Sequence, residues 1–254
     1  MFWSHRYSRH EKGKWVPNQS KLARKPPIRI PERDVSSLIA QHQLTLIGRV
    51  TNPTMQRPQA VVDYLPQYWK LENRVTGRSL GSDTFQFKFT AEEDLQDILS
   101  KFPFHFRKWM LILQKWEPII AQPFPSSIAF WIKIHGIPLH YYTLDTIEAI
   151  TEELGPIKAK DADQMRVRVE VNGLQPLEMV RDVELPSSEI IQVELEYEKL
   201  KKHCFHCFSL THDELTCPLL APDSQKATRP LGINQQRTLS RIEADKKRHD
   251  ERRS

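Results

Sequence analysis

Apolar positions along this chain recur at two periods, one of strands and one of helices. Leu44 to Val50 is a short apolar run of strand length. Residues 58–71 carry Val61, Leu65, Tyr68 and Leu71 at helical spacing, which predicts a helix burying those four, broken or kinked at Pro66. Residues 74–80 read as a strand before the turn Gly81-Ser82-Asp83. Thr84 to Phe89 alternates strictly, with Phe85, Phe87 and Phe89 on one face and Thr84, Gln86 and Lys88 on the other. Three phenylalanines on one face predict a core; the competing reading is an open aromatic platform for RNA. Thr90 and Glu93 have capping-box spacing and open a helix with Leu95, Ile98, Leu99 and Phe102 inward. Trp109 to Trp116 is a further strand. The resulting order, β-α-β-β-α-β, predicts an α+β, ferredoxin-like domain over 37–120.

A second stretch follows Pro123 and Pro125. Ile128 to Ile137 reads as a strand and Thr143 to Leu154 as a helix stopped by Gly155. Two alternating strands come next, one with Val167, Val169 and Val171 on a face, the other with Ile191, Val193, Leu195 and Tyr197. Their outer faces predict cross-strand pairs of Arg166 and Arg168 with Glu194 and Glu196. Residues 121–199 are thus expected to form a small β-rich extension, with no repeat visible in the sequence. Proline and charge without apolar periodicity predict disordered basic tails over 1–36 and 219–254. A helix near 238–252 would have only a thin apolar face.

Charge changes this picture. The formal net charge is +5 over 254 residues. Residues 1–36 hold 9 Lys/Arg against 3 Asp/Glu, 218–254 hold 9 against 5, and 37–217 hold 19 against 24. Basic ends suit phosphate neutralisation or simply solvation; the acidic centre gives the upstream domain no evident reason to bind a polyanion. Apolar stretches of membrane-spanning length are missing, and the first residues lack the apolar region of a secretion signal. A nuclear or cytoplasmic protein is expected. Lys246-Lys247-Arg248 suits either a nuclear signal or a solvated tail.

The three cysteines all fall within one short segment, Cys204-Phe-His-Cys207-Phe-Ser-Leu-Thr-His212-Asp-Glu-Leu-Thr-Cys217. The spacing C-x2-C-x4-H-x4-C supplies three thiolates and an imidazole, the donor set of tetrahedral zinc. Zn2+ is therefore the expected cofactor, bound by Cys204, Cys207, His212 and Cys217 over 200–218. A segment this short has little core, so metal binding must supply its folding energy, on the order of 10–16 kcal/mol in comparable peptides. His203 and His206 are competing ligands with poorer spacing. A chance register of buried cysteines is the competing explanation.

The box resembles the zinc knuckle of retroviral and retrotransposon gag proteins. Leu195-Glu196-Tyr197-Glu198-Lys199-Leu200 is similar to the lead-in of plant zinc-knuckle proteins that carry an upstream plant domain of unknown function, number 4283. Trp109 to Pro118 and Phe130 to Tyr142 resemble that upstream domain. The resemblance covers about 38–218 and implies a gag-like, retrotransposon-derived plant protein that binds zinc and nucleic acid. Typical knuckles have glycine directly after the second cysteine and directly before the histidine; here Phe208 and Thr211 stand there, which predicts a strained loop, weaker zinc binding or a decaying copy of the module.

In gag knuckles the aromatic after the first cysteine stacks on an unpaired base, a place that Phe205 takes here, with packing inside the module as the alternative; Phe208 offers a second surface or a cover for the metal site, and Lys201 and Lys202 offer phosphate contacts or an ordinary solvated pair. The expected function is zinc-dependent binding of single-stranded nucleic acid, RNA favoured over DNA, with self-association as a further expectation and no small-molecule substrate or membrane. The alternative is a zinc-stabilised protein–protein interaction module. Asp161, Asp163 and Glu170 are the carboxylates an enzyme reading would use, but they read as a turn and a strand's solvent face, and no catalytic activity is expected.

Overall fold

The computed structural model describes residues 27–118, 123–220 and 230–251. The tail expected over 1–36 lies outside the described residues as far as residue 26, as do 221–229 and 252–254 of the other tail.

From Ser36 onward the chain forms one unit around two five-stranded antiparallel sheets. The first half contains α1 (Ser36–His42), β1 (Thr45–Val50), α2 (Pro58–Trp69), β2 (Val75–Ser79), β3 (Thr84–Phe89), α3 (Glu92–Ser100), β4 (Phe104–Phe106) and β5 (Trp109–Lys115). Its strands lie in the order β2-β3-β1-β5-β4. Gly48 of β1 faces Phe85 of β3, and a Cβ at Gly48 would come within 2.2 Å of the Phe85 ring. Only glycine lets that ring cross the strand. Phe85, Phe87 and Phe89 line the core, buried with Leu46, Leu65 and Leu95.

Two local readings change. Helix α2 runs through Pro66 to Trp69 and ends on Lys70 in the left-handed conformation. Pro66 sits in the last turn, where a single missing amide interrupts little of the remaining helix. Tyr68, expected inward, is 57% exposed and stacks on Tyr64, because Val61, Val62 and Leu65 already fill the buried stripe. Helix α3 starts after Ala91, with no side-chain cap; the Thr90 hydroxyl donates to the Arg74 carbonyl instead.

The expected small extension is a sheet as many-stranded as the first. It contains β6 (Ser127–His135), α4 (Leu144–Glu152), β7 (Ile157–Asp161), β8 (Arg166–Asn172), β9 (Val180–Glu184) and β10 (Ile190–Tyr197). Thr143 caps α4 by accepting from the Thr146 amide. The order β7-β8-β6-β10-β9 repeats the first sheet's order strand for strand. Strand β6 lies between β8 and β10, so the predicted Arg166/Arg168 to Glu194/Glu196 pairs do not form. Arg166 instead binds Asp161 and Glu198 and lies 4.5 Å over the Trp131 ring. The link from β8 to β9 carries no helix in the place of α3. Met110 and Ile112 of β5, with Leu177, Met179, Leu200 and Leu210, join the second core there.

The C-terminal segment is a second correction. Residues 233–251 form helix α5 (Ile233–Glu251) rather than a disordered tail. Its docking is polar, which is why apolar periodicity missed it. Asn234 donates to the Leu195 carbonyl at 2.7 Å and accepts from the Tyr197 amide at 3.0 Å, extending the ladder of β10 past the end of β9. Glu194 accepts from the Ile233 amide, and Arg237 pairs with the buried Glu196, which also holds His135. Asn234→Ala leaves two buried backbone groups unpaired, about 1–3 kcal/mol each. Hydrogen exchange should show α5 amides exchanging faster in that variant, while β1, β3 and β5 keep their protection.

Candidate metal centre and its surroundings

After β10 the chain turns at Lys199 (φ 60°), buries Leu200, and pairs with the start of β5: the Lys202 amide donates to the Lys108 carbonyl at 3.0 Å. The next residues close a tight hairpin. The Cys204 amide donates to the Ser209 carbonyl at 2.8 Å and the Phe208 amide to the Cys204 carbonyl at 2.9 Å. The Cys207 amide points at the Cys204 sulfur, 3.4 Å away. A single 3-10 turn, Glu214–Thr216, then returns Cys217 to the hairpin.

This geometry brings together the four residues that the spacing selected. The ligand atoms of Cys204, Cys207, His212 and Cys217 all lie within 4.8 Å of one another, with Cys207 Sγ and His212 Nε2 3.2 Å apart. Zinc bonds of about 2.3 Å to sulfur and about 2.0 Å to nitrogen put the ligands of a tetrahedron roughly 3.5–3.8 Å apart, so the set fits the ion with small adjustments. When bound, zinc supplies a structural cross-link that holds the hairpin to the 3-10 turn. Burial pushes the Cys204 thiol up to about 12. Burial also acts to raise Cys217, but the Leu219 and Leu220 amides and the neighbouring thiols hold it below its usual value.

The two departures from glycine have distinct roles. Phe208 adopts φ 62°, the left-handed conformation that glycine would take without strain. Its ring packs against the second core and its carbonyl accepts from the Leu177 amide at 3.1 Å. Phe208 therefore anchors the knuckle to the sheet through its partly buried ring. Thr211 Oγ1 lies 3.0 Å from His212 Nδ1 and 2.8 Å from Ser209 Oγ. That contact fixes the ring so that Nε2 faces the metal position, the task of an outer-sphere partner.

The remaining candidates are dispersed. His203 is buried with Nδ1 on the Lys201 carbonyl, and neither it nor His206 belongs to the cluster. Phe205 is half-exposed, its ring 5.0 Å from that of His203, in a shallow recess with Lys202, Leu215 and Ile242. Lys202 Nζ stands 5.8 Å over the Trp109 ring. Burial, followed by Arg241, lowers the Lys201 pKa. Asp161 accepts from Arg166 and the Gln164 amide, and Glu170 is held by Lys158, Ser127 and Gln114. Arg241 of α5 beside Lys201 was missed, since its segment read as tail.

Three outcomes follow for the metal centre. Thr211→Val should weaken zinc about 10- to 100-fold in a chelator competition, with the fold unchanged. Binding converts the Cys204 thiol to a thiolate, so zinc affinity should fall as pH falls, by about tenfold per unit for that proton. Phe208→Gly relieves about 1–2 kcal/mol of backbone strain but removes a partly buried ring, a fraction of the about 3–5 kcal/mol of a fully buried one, and adds about 0.5–1 kcal/mol of glycine chain entropy. Denaturant titration of the zinc-loaded protein should therefore show net destabilisation.

Residues 38–122 match the family of a domain of unknown function, DUF4283, and 172–219 match a zinc knuckle. The uncharacterized protein At4g02000 of Arabidopsis thaliana is 28% identical over 133 residues, covering 49% of this chain. The match spans 42% of that protein, less than half its length. A solved Sxl-lethal protein/RNA complex is similar at 12% identity over 63% of this chain and 83% of that one, with a TM-score of 0.27, too low to carry an argument. The chain thus carries a DUF4283 domain followed by a zinc knuckle whose four metal ligands are in place.

Proposed function

We propose that this protein is a zinc-dependent binder of single-stranded nucleic acid and acts by binding rather than by catalysis. The observation that carries the reading is the knuckle itself: four converging ligands with a half-exposed Phe205 beside Lys202 on its open side. An aromatic face takes any base, at about 1–3 kcal/mol per stacked base, and a lysine beside it takes the phosphate. Phe208 packs in part against the second core while Phe205 borders the open recess, so Phe205 is the stacking group we favour. We also read the first sheet and its helices as a ferredoxin-like unit, supported by β1 lying between β3 and β5 with α2 and α3 in the two crossovers.

A second reading, a protein-binding module stapled by zinc, draws on Asp213, Glu214 and the 85% exposed Leu215 around the same recess. Titration of the full-length protein with labelled single-stranded RNA and DNA separates the two. The nucleic-acid reading expects one zinc per chain and binding that drops roughly 5- to 100-fold in Phe205→Ala and is lost on chelation. A zinc-loaded protein that binds neither polymer would favour the protein-binding module.

A further inference from the structure

A groove of about 750 Å³ opens between the end of α2, the link from α3 to β4, and helix α5. Five basic side chains line it, Lys70, Lys101, Lys199, Lys201 and Arg241, and no carboxylate does. Lys101 pairs with Asp97. Among the described residues, Lys70, Lys199, Lys201 and Arg241 have no ion-pair partner. Lys201 also feels the charges of Arg241, Lys108 and Arg248, with Asp245 opposing. Cations crowded in this way repel one another, and an arriving anion relieves that repulsion.

Shared lining residues lead from the groove to the knuckle. Lys201 and Arg241 also line a small cleft with Lys108, Lys202, Ile242 and a single carboxylate, Asp245, and Lys202 and Ile242 in turn border the recess of Phe205, where Asp213 and Glu214 also stand. At the far end, Tyr68 forms part of the groove wall and stacks on Tyr64, ring centroids 5.6 Å apart at 22°. Both tyrosines are exposed, at 57% and 43%. A basic channel flanked by exposed aromatic rings is the arrangement that holds a single strand, with phosphates on the cations and bases on the rings.

We propose that single-stranded nucleic acid runs from the knuckle along α5 into this groove, where Lys70 of the DUF4283 domain, Lys199 and Lys201 of the lead-in to the knuckle and Arg241 of α5 bind its phosphates. The inference rests on the nucleic-acid reading above and extends the contact surface from Lys201 to Lys70, Lys199 and Arg241. Lys199 reaches the Lys101 carbonyl at 3.4 Å, which places its ammonium inside the groove.

The test uses the zinc-loaded full-length chain and a labelled oligouridylate over a salt series. Lys70 and Lys199 both have φ 60°, a conformation asparagine tolerates, so K70N/K199N removes two charges and keeps the backbone. Zinc content and circular dichroism are checked on each variant. The expected result is weaker binding with a salt slope shallower by about 1.4, roughly 0.7 for each lost phosphate contact on a single strand. Phe205→Ala should weaken binding with the slope unchanged. If K70N/K199N keeps the parent affinity and slope while Phe205→Ala loses affinity, the groove is overturned and the knuckle reading stands. If the unaltered protein shows no salt-dependent binding, both are overturned.

Discussion

Strand β5 is buried on both faces, and the rest of the molecule is arranged around that constraint. Leu111 and Leu113 point into the first core, Met110 and Ile112 into the second. A strand covered on one side would alternate; the unbroken run from Trp109 to Leu113 is what two-sided burial requires. The same strand begins at the knuckle. The Lys108 carbonyl takes the Lys202 amide, and Trp109 lies beneath the Lys202 ammonium. One strand thus ties both sheets and the metal centre together, which fixes the direction in which the knuckle presents its open side.

That attachment gives the replacements at Phe208 and Thr211 a physical sense. Here the second sheet lacks a helix between β8 and β9, and Phe208, Leu200 and Leu210 join the core there. The left-handed backbone of Phe208 costs about 1–2 kcal/mol, and against it stand the packing of its partly buried ring and the hydrogen bond that its carbonyl accepts from the Leu177 amide. Thr211 gives up glycine's freedom and gains the hydroxyl that orients His212. Both exchanges favour a fixed knuckle over a mobile one.

The metal centre was legible in the sequence because ligand spacing is a local property, and the four selected residues converge. Most strands were legible too, from Phe85-Phe87-Phe89 to the valines of β8. The pairing of β8 was not, because alternation says which face a residue takes but not which strand lies beside it; β6 intervenes before β10. Helix α5 was hidden for a different reason. It docks through Asn234, Arg237 and Arg241, which look like solvated tail residues until β10 and Glu196 are in place. The shared order of the two sheets was equally invisible, since a common topology leaves no periodic trace once side chains diverge.

Segment charge proved the least informative quantity of all. The centre of the chain is net acidic, and by that measure its domain should repel a polyanion. Net charge over a segment ignores which carboxylates are already held. Asp94 pairs with Arg74, Asp161 and Glu198 with Arg166, and Glu170 with Lys158. These acids are neutralised within one Debye length, about 8 Å at physiological salt, and contribute little field beyond it. Among the described residues the lysines at 70, 199 and 201 form no ion pair, although Asp245 lies near Lys201, and the fold gathers them with Arg241 from far along the chain into one groove. What a ligand meets at close range is the local field of unpaired charges, and there the surface is basic.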